Sequence, residues 1–450
     1  MTPKPRPPLP PGPYLVVGLA RSGVAAALAL RARGETVIGS DSGGADRPAL
    51  RETAGRLREA GVEVRLDASG VDLAARARTL IKSPGVPQNA PVVQAARARG
   101  IPVLGELELA WRLLPNQFIA VTGTNGKTTT TEWIGHVHVE AGLPVAVAGN
   151  VGRAASSLVL GPGLPTDETV VCEASSFQLE DTDFFSPEAA VLLNLSPDHL
   201  DRHGTYEDYV AAKLRIFANQ GNDDVAVAAA DLAVEDLGGC ARRVLFGVGP
   251  GPELSERAGY LWWDEQPILA VEEIALPGEH NVQNAMATAA VCLARGIDPD
   301  AVAGGLRTFA GVRHRLERVA VVGGVTWVND SKATNVASTL VALRSFPGSV
   351  HLIAGGRGKQ QDFTPLAPLV AERCRAVYLI GEAAGDLALA LAPAGVPLHQ
   401  AGDMEHAVAQ ARAAARAGEV VLLSPACASF DQYSDFEARG DHFRALVTAL

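Results

Sequence analysis

The stretch FIAVTGTNGKTTTT, Phe118–Thr131, decides the organisation of this chain. Its apolar opening favours a strand, a glycine-containing loop follows, and the residues from Thr130 to Glu140 are compatible with a helix. In such a loop the backbone N–H groups and the helix N-terminus converge on one point, where a lysine adds positive charge and a threonine hydroxyl can bind Mg²⁺. The pattern therefore predicts a nucleoside triphosphate site that includes Lys127 and Thr128.

The match to the usual phosphate-loop pattern is partial. G-x-x-x-x-G-K-[ST] requires glycine at position 121, where this chain has Val121. The alternative interpretation is that Gly123 and Gly126 only shape a turn between a strand and a helix. Because such a turn has no use for the lysine and threonine that follow, the phosphate-binding interpretation is favoured.

Composition predicts a globular enzyme-sized protein without nucleic-acid or membrane partners. The chain has 450 residues, 47% of them hydrophobic and 20% charged, which is enough for about three domains. A net charge of −11 argues against binding to nucleic acid. The five cysteines lack C-x-x-C spacing, which suits a reducing compartment and argues against structural zinc. Since no run of about 18 apolar residues and no signal peptide is present, we expect no membrane insertion and a cytoplasmic location.

The first part of the chain has the layout of a dinucleotide-binding fold. After a proline-rich lead, predicted to be a mobile tail, the strand Tyr14–Val17 is followed by Gly18–Gly23, a helix, and a second strand that ends at Asp41. Because Ala20 replaces the middle glycine, NAD is weakly indicated. The broader prediction is a diphosphate at Gly18–Gly23 and a sugar or base at Asp41, although Asp41 could instead only cap a turn.

The central part of the chain adds polar groups at strand ends. Thr169–Cys172 delivers Glu173 to the edge of the predicted sheet, where its carboxylate can hold Mg²⁺ opposite Thr128. The loop Leu195–His203 contains two histidines and two aspartates, which suit either a transition-metal site or a hydrated loop. Both interpretations stay open, and His199 is the favoured functional residue.

Two predicted helices carry further polar residues. On the helix Tyr206–Phe217, Lys213 lies among apolar positions, where a lysine usually extends its amine to solvent. In the helix after Pro277, Asn281 and Asn284 are three residues apart and can contact an adenine edge from one face. The alternative is that Asn281 caps that helix.

The last part of the chain has its own polar strand ends. Three strands open into Asp330–Asn335, Gly355–Asp362 and Ser424–Phe436, but no phosphate loop is present there. The predicted fold is α/β with three domains: a Rossmann-like domain over residues 1–105, a P-loop domain with a parallel sheet over 106–311, and a second Rossmann-like domain over 312–450. We expect the last two to close on nucleotide and substrate.

Six motifs together resemble the Mur ligases of peptidoglycan synthesis. They are GTNGKTTT at Gly123–Thr130, EASSFQLE at Glu173–Glu180, AAKLRIF at Ala211–Phe217, HNVQNA at His280–Ala285, HR at His314–Arg315 and NDSKATN at Asn329–Asn335. Within this family the details resemble the ligases that add D-glutamate to UDP-N-acetylmuramoyl-L-alanine. The family uses the shortened phosphate loop, and its first domain binds a UDP-sugar rather than NAD.

The resemblance implies a set of site residues for each ligand. For ATP these are Gly123, Thr124, Asn125, Gly126, Lys127, Thr128, Thr129, Asn281, Asn284, Arg315 and Asp330. For the UDP-sugar they are Arg21, Ser22, Asp41, Ser42, Asn150, Ser175 and His199, and for D-glutamate they are Lys332, Thr334, Lys359, Ser429 and Phe436. Mg²⁺ would be held by Thr128, Glu173, His199 and Lys213, the last as a carbamate. The implied catalytic residues are Lys127, Glu173, His199 and Lys213.

The implied reaction is ATP-dependent amide formation through an acyl phosphate, carried out by a monomer. Three alternatives remain at this point. Another Mur-type or folylpolyglutamate-type ligase would have the same architecture. An NAD-dependent oxidoreductase would use Gly18–Gly23 and leave the phosphate loop idle. A non-enzymatic nucleotide-binding module would not explain the polar strand ends of the last domain.

Overall fold

The computed structural model describes residues 4–44, 46–232, 234, 236–358 and 361–450, apart from the side chains of residues 48 and 49. The chain forms two compact units, Met1–Phe309 and Ala310–Leu450. The first unit contains two sheets and the second unit contains one. The predicted α/β architecture with parallel sheets is confirmed. The predicted domain limits at residues 105 and 311 stay predictions.

The first sheet has five parallel strands in the order β3-β2-β1-β4-β5. Its elements are β1 Tyr14–Val17, α1 Arg21–Ala32, β2 Val37–Ser40, α2 Pro48–Glu59, β3 Glu63–Arg65, α3 Val71–Ala74, β4 Thr79–Lys82, α4 Pro91–Ala98 and β5 Val103–Gly105. β1 and β2 are buried along their whole length, as the apolar sequences YLVV and VIGS require. The strand order reverses between β1 and β4, and a crevice opens at the carboxyl ends of strands at such a point.

The central sheet has nine strands in the order β14-β13-β12-β11-β10-β9-β6-β8-β7. Its elements begin with α5 Glu106–Leu113, β6 Phe118–Thr122, α6 Lys127–Glu140, β7 Val145–Gly149, β8 Thr169–Glu173, α7 Ser176–Leu179, β9 Ala189–Leu192, α8 Leu200–His203, α9 Tyr206–Leu214 and β10 Val225–Ala229. They continue with β11 Arg242–Val248, β12 Leu254–Arg257, β13 Tyr260–Trp263, β14 Gln266–Ala270, α10 Glu279–Ala294 and α11 Pro299–Thr308. β6 lies inside the parallel part, so the phosphate loop that follows it opens at the sheet's carboxyl edge.

The strands β11 to β14 were not predicted from the sequence. β12, β13 and β14 pair in antiparallel fashion and extend the parallel part of the sheet through β11. Short strands made mostly of polar residues, such as LSER in β12, give no period-two signal and resemble a loop. β11 pairs with the buried strand β10 at the centre of the sheet, and β12, β13 and β14 follow it in turn. These pairings, rather than the local sequence, place the four strands in the sheet.

The proline-rich lead is not a free tail over residues 4–13. The amine of Lys4 lies 2.5 Å from the carboxylate of Asp224. The guanidinium of Arg6 pairs with Glu188 at 3.3 Å and stacks on the ring of Trp111 at 4.3 Å. The prediction of a mobile tail is therefore wrong here, because composition indicated a lack of internal structure but could not indicate contacts with distant acidic residues.

The second unit is a six-stranded sheet in the order β15-β16-β20-β17-β18-β19. Its elements are β15 Glu317–Val322, β16 Val325–Asn329, α12 Val336–Arg344, β17 Val350–Gly355, α13 Ala367–Arg373, β18 Cys374–Ile380, α14 Ala384–Leu391, β19 Leu398–Gly402, α15 Met404–Ala414, β20 Val420–Leu423 and α16 Phe436–Thr448. All pairs are parallel except β15 with β16. Within the described part of the chain, no helix has both the length and the apolar content needed to cross a bilayer.

Candidate active site

The phosphate loop, residues 123–128, connects β6 to α6. Gly126 is the N-cap residue of α6 and has a φ of +82°, in the left-handed region that favours glycine. A Cβ atom at this position would lie 2.2 Å from Oδ1 of Asn284. Glycine is therefore required both by the backbone conformation and by the close approach of α10, which brings Asn284 to the loop.

Two lysines share one carbonyl of the phosphate loop. Nζ of Lys127 donates to the carbonyls of Gly123 and Thr124 at 3.0 and 2.8 Å. Nζ of Lys213 donates to the same carbonyl of Gly123 at 2.7 Å. Lys127 thus adds positive charge at the loop, where phosphate oxygens are expected, and a second amine lies beside it.

Lys213 is buried, with only 2% of its surface exposed. The expectation that its amine extends to solvent is therefore wrong: α9 packs so that its face carrying Lys213 lies against the phosphate loop. Burial, and then the charge of Lys127, lower the pKa of Lys213 to about 7, although the charges of Asp198 and Glu173 oppose this shift. A large fraction of this amine is uncharged near neutral pH.

Glu173 connects the phosphate loop to the strand end after β7. Its Oε2 accepts a hydrogen bond of 2.7 Å from the hydroxyl of Thr128, and its Oε1 accepts one of 2.9 Å from the amide of Asn150. Glu173 is 3% exposed, and both of these partners are uncharged. A buried carboxylate beside a hydroxyl is a donor set of the kind that Mg²⁺ prefers.

Among the residues that the structure describes, no three His, Cys, Asp or Glu side chains are grouped so as to hold a metal ion. The transition-metal interpretation of the loop Leu195–His203 is not supported. Mg²⁺ fits better, because it usually takes one or two carboxylates and completes its shell with water and substrate phosphates. Glu173 and Thr128 meet that requirement.

His199 lies at the surface of the same edge. It is the N-cap residue of α8, has a φ of +52°, and its side chain is 49% exposed. Its ring packs on Phe177 at 4.8 Å between centroids, while His203 stacks on the same ring at 5.4 Å. The ring of His203 forms a 3.0 Å hydrogen bond with the hydroxyl of Ser176, so His199 is the histidine more accessible to a ligand.

Asn194, which the sequence analysis did not select, fixes the phosphate loop. Its Oδ1 accepts hydrogen bonds from the backbone N–H groups of Thr124 and Asn125 at 3.1 and 2.8 Å. The signal that could have identified it is its position two residues after β9, at the same edge of the sheet as Glu173, the last residue of β8.

Asn281 and Asn284 lie on one face of α10, as predicted, with a 3.3 Å hydrogen bond between their side chains. The alternative role of Asn281 as a helix cap is wrong, since Gly278 is the N-cap residue and the amide of Asn281 donates to the carbonyl of Pro277 at 2.8 Å. Asn284 also accepts a hydrogen bond of 3.3 Å from Thr130 of α6. Thr129 is buried in the first turn of the same helix.

A cavity of about 710 Å³ opens at the carboxyl edge of the first sheet. Four of the predicted UDP-sugar residues of the first sheet, together with Asn150, contribute to its lining: Arg21, Ser22, Asp41 and Ser42. Ser175 does not line it and instead caps α7, where its hydroxyl accepts a hydrogen bond from the N–H of Gln178 at 3.3 Å. A volume of this size suits a nucleotide-sized ligand.

Asp41 both lines the cavity and fixes its loops. Its Oδ2 accepts the N–H of Leu19 at 2.7 Å and its Oδ1 accepts the N–H of Gly43 at 2.8 Å. The turn-capping alternative is thus part of the structure, and it does not remove Asp41 from the cavity. The wall formed by residues 83–87 after β4 was missed by the sequence analysis, because a turn-forming S-P-G-V-P sequence carries no ligand-specific signal.

In the second unit, Asp330 is buried beside the loops that follow β16 and β20. Burial raises its pKa to about 7, although the hydroxyl of Ser424 at 2.8 Å and the N–H of Leu316 at 3.1 Å donate hydrogen bonds to it. Arg315 is exposed nearby and its charge opposes the shift. Asp330 is therefore a partly protonated group near neutral pH.

The predicted D-glutamate residues occupy three loops of this unit. Lys332 and Thr334 lie between β16 and α12, and both are partly exposed. Ser429 is buried in the loop after β20, and Phe436 is the first residue of α16. Lys359 lies outside the described residues. The structure places these residues in the second unit, whereas Lys127, Thr128, Glu173, Lys213 and the cavity all belong to the first.

The chain matches two family models. The Mur ligase middle domain matches residues 121–292, and the Mur ligase, glutamate ligase domain, matches residues 314–427. Two solved structures share the fold. The UDP-N-acetylmuramate-alanine ligase MurC from Thermotoga maritima has a TM-score of 0.58 at 21% identity and covers 97% of this chain and 99% of its own. The MurF ligase from Thermotoga maritima in complex with ADP has a TM-score of 0.53 at 18% identity and covers 84% of this chain and 92% of its own.

Sequence similarity extends over nearly the whole chain. A UDP-N-acetylmuramoylalanine–D-glutamate ligase from Acidobacterium capsulatum is 44% identical over 448 residues, which cover 97% of this chain and 96% of that relative. Similarity at this level over full length, together with both Mur ligase domains, shows the family. The chain belongs to the Mur ligases and, within them, to the family of UDP-N-acetylmuramoylalanine–D-glutamate ligases.

Proposed function

We propose that this chain is an ATP-dependent amide ligase that adds D-glutamate to UDP-N-acetylmuramoyl-L-alanine in the synthesis of peptidoglycan precursors. One observation carries the proposal. Asn150 lines the cavity of the first sheet and donates to Glu173, which in turn accepts a hydrogen bond from Thr128 of the phosphate loop. The nucleotide-sugar cavity and the ATP site are therefore connected through a single carboxylate.

The chemistry needs both sites because a carboxylate does not react with an amine at neutral pH. The terminal carboxylate of the L-alanine attacks the γ-phosphorus of ATP, ADP leaves, and an acyl phosphate forms. The amino nitrogen of D-glutamate then attacks the carbonyl carbon, inorganic phosphate leaves, and the nitrogen loses a proton. Negative charge gathers on oxygen in both steps, so the positive charge of Lys127 acts mainly by electrostatic stabilisation.

Glu173 and Thr128 are the residues that would hold Mg²⁺, with His199 as an additional candidate. The ion would neutralise phosphate charge and orient the γ-phosphoryl group. Glu173 fits this role because its carboxylate is buried with uncharged hydrogen-bond partners, an arrangement that a cation would stabilise.

Lys213 supports a second proposed feature, the carbamate. An uncharged amine attacks the carbon of CO₂, the nitrogen loses one proton, and a carbamate with one negative charge results. The lowered pKa of Lys213, about 7, provides the uncharged amine that this reaction needs. The product would place an oxygen ligand beside the phosphate loop, where Mg²⁺ is expected.

The carbamate is tested by replacing its lysine. We expect Lys213→Ala to lose most of its ligase activity and to recover a part when acetate or formate is added, since a small carboxylate can occupy the space of the carbamate. Chloride at the same ionic strength is the control. Equal responses to acetate and chloride, or full activity without any addition, would contradict the carbamate.

D-glutamate would bind to the second unit through Lys332, Thr334, Ser429 and Phe436, with Lys359 as a further predicted contact. Cationic and hydroxyl side chains suit the two carboxylates of that amino acid. The proposal also includes a cytoplasmic location, where ATP and the nucleotide-sugar are available, and a monomeric state.

The proposed function is tested by phosphate release. Purified protein with ATP, Mg²⁺ and UDP-N-acetylmuramoyl-L-alanine is supplied separately with D-glutamate, L-glutamate, L-alanine or meso-diaminopimelate. Phosphate release only with D-glutamate, together with a product heavier by one glutamyl residue, is the expected result. Turnover with another amino acid, or with a folate in place of the nucleotide-sugar, would assign a different ligase activity. Binding of NAD(H) without phosphate release would remove the ligase proposal.

A further inference from the structure

The wall of the nucleotide-sugar cavity is held by a residue that belongs to none of the proposed ligand sets. Residues 83–87 form one side of the cavity of the first sheet. The guanidinium of Arg202, in α8 of the central sheet, donates through one nitrogen, Nη2, to the carbonyls of Pro84 and Val86, both at 3.1 Å. The wall is thus attached to the central sheet as well as to its own strand.

The same guanidinium is fixed from the central sheet. Oε1 of Glu180 accepts a hydrogen bond of 2.6 Å from Nη2 of Arg202. The guanidinium also lies over the ring of Phe177, with its central carbon 4.6 Å from the ring centroid. Only 15% of the side chain of Arg202 is exposed, so these contacts are partly shielded from water and salt.

Phe177 connects Arg202 to His199. The ring of Phe177 contacts the ring of His199 at 4.8 Å between centroids and stacks on His203 at 5.4 Å. Phe177 belongs to α7, which begins three residues after Glu173. Arg202 therefore touches both the cavity wall and the aromatic ring on which the accessible histidine of the site rests.

We propose that Arg202 is a positioning residue. It fixes the position of the 83–87 wall of the cavity relative to the Phe177–His199 pair. This inference rests on the proposed function. Binding of the nucleotide-sugar against the wall and placement of its acceptor carboxylate beside His199 then depend on one guanidinium. Arg202 touches neither ligand in this arrangement, and it acts through the backbone of the wall and the ring of Phe177.

A second cation supports the wall but does not make this connection. Nζ of Lys82 donates to the carbonyl of Val86 at 2.7 Å and pairs with Asp181 at 2.7 Å. Lys82 is fully buried at the end of β4, and its amine also lies 3.7 Å from Oε1 of Glu180. Within the described part of the chain, no hydrogen bond, ion pair or ring contact joins Lys82 to Phe177 or His199. Loss of Arg202 should therefore loosen the wall and its coupling to His199 without unfolding the loop.

The decisive variant is Arg202→Met, which keeps an apolar side chain of similar length but removes the guanidinium, its hydrogen bonds and its contact with the ring of Phe177. We expect the KM for UDP-N-acetylmuramoyl-L-alanine to rise about tenfold and kcat to fall severalfold, while the KM for ATP stays within twofold. Arg307→Met is the matched control, because Arg307 forms an exposed ion pair with Glu273 at 3.0 Å on α11. This control should change none of the three values by more than twofold.

Glu180→Gln provides a second variant of nearly unchanged shape, in case Arg202→Met does not fold. It weakens the bond that orients the guanidinium and should raise the same KM severalfold, again with little effect on the KM for ATP. A purely structural role would lower the melting temperature and the active fraction without shifting the KM for the nucleotide-sugar. That result, or equal increases in both KM values, would overturn the assignment.

The wild-type protein separates the two proposals. If it releases no phosphate with D-glutamate and UDP-N-acetylmuramoyl-L-alanine, the proposed function fails, and the kinetic comparison has no basis. If the wild type is active and both Arg202→Met and Glu180→Gln retain the wild-type KM for the nucleotide-sugar, only the role of Arg202 fails.

Discussion

The first unit contains two glycine loops that connect a strand to a helix in the same way but have different surroundings. Gly18–Ala20 and Gly123–Gly126 each follow a parallel strand and lead into a helix. The first loop opens onto a cavity of about 710 Å³. In the second loop, the carbonyl of Gly123 accepts hydrogen bonds from the amines of both Lys127 and Lys213. A strand–loop–helix unit therefore supplies an N-terminal helix dipole in both places, and the side chains around it select the ligand.

Glycine is also needed at the two loops for different physical reasons. At the first loop, Gly23 lies in the first turn of α1, and a Cβ there would lie 1.8 Å from the carbonyl oxygen of Gly18. Glycine therefore permits close packing of α1 on the strand end. In the second loop, Gly126 needs a positive φ and space beside Asn284. We therefore expect substitutions at the first loop to act through packing and stability. We expect substitutions at the second loop to act through charge and turnover.

The largest effect should come from removing charge at the second loop. Lys127→Ala should reduce kcat for ATP-dependent phosphate release by 10²–10³-fold, which corresponds to about 2.7–4 kcal/mol of lost transition-state stabilisation. Steady-state kinetics measures the loss, and thermal unfolding checks that the variant is folded. Turnover within threefold of the wild type would remove Lys127 from the mechanism and end the contrast between the loops.

The first loop should respond to volume instead. Gly23→Ala should lower the free energy of unfolding by roughly 3 kcal/mol, because the new Cβ would overlap the carbonyl of Gly18. The matched control is Gly55→Ala in α2, where no atom lies within 4 Å of the new Cβ and the substitution should stabilise by about 0.5–1 kcal/mol. Thermal unfolding measures both. Equal stability of the two variants would show that the packing at Gly23 is not limiting.

A smaller and more selective effect is expected at Asp41. Asp41→Asn replaces one acceptor with a donor, so one of the hydrogen bonds from Leu19 and Gly43 is lost. The KM for the nucleotide-sugar should rise about tenfold, equivalent to about 1.4 kcal/mol, with the KM for ATP unchanged. Kinetics with each substrate varied in turn provides the measurement. An equal rise in the KM for ATP would mean that the two loops are not independent.

The smallest effect is a pH dependence at the second loop. The pKa of Lys213 is about 7 in the folded chain against 10.5 for a free lysine, so between these values the unfolded chain binds the extra proton. The cost of burying this charge acts fully below pH 7 and is relieved as pH rises toward 10.5. Stability should therefore increase with pH through this window.

Thermal unfolding at pH 7 and pH 9 in CO₂-free buffer tests that dependence. The wild type should gain more in melting temperature over this interval than Lys213→Met, which has no amine to titrate. Other titrating groups contribute equally to both proteins, so the difference between them isolates Lys213. The same gain in both proteins would place the amine of Lys213 in contact with water.

Much of the first unit could be predicted because its signals are local. A buried parallel strand is an uninterrupted apolar run, and β6 and β8 deliver Lys127 and Glu173 to one sheet edge at positions that the sequence specifies. Parallel pairing then brings strand ends together whatever their separation in the chain. The burial of Lys213 was not predicted, because helical spacing gives the face of a residue but not the element that covers that face.

The other features that the sequence analysis missed have the same cause. The mobile-tail prediction for residues 4–13 used local composition, whereas the contacts of Lys4 and Arg6 are with Asp224 and Glu188, far along the chain. The role of Arg202 was not predicted, because its partners Pro84 and Val86 lie in the loop after β4, more than 100 residues earlier in the chain. Backbone carbonyls carry no sequence signal, so a side chain that binds them cannot be identified from residue types.

The sequence by itself determined the α/β class, the phosphate loop and its lysine, and the order of the motifs that place the chain in its family. These follow from short-range periodicity and from residue types that few structures require. The tertiary structure decided that Lys213 is buried against Gly123, that Asn150 joins the cavity to Glu173, and which arginine holds the cavity wall. Each of these depends on desolvation and on distances between segments far apart in the chain, which are set only when the sheets pack.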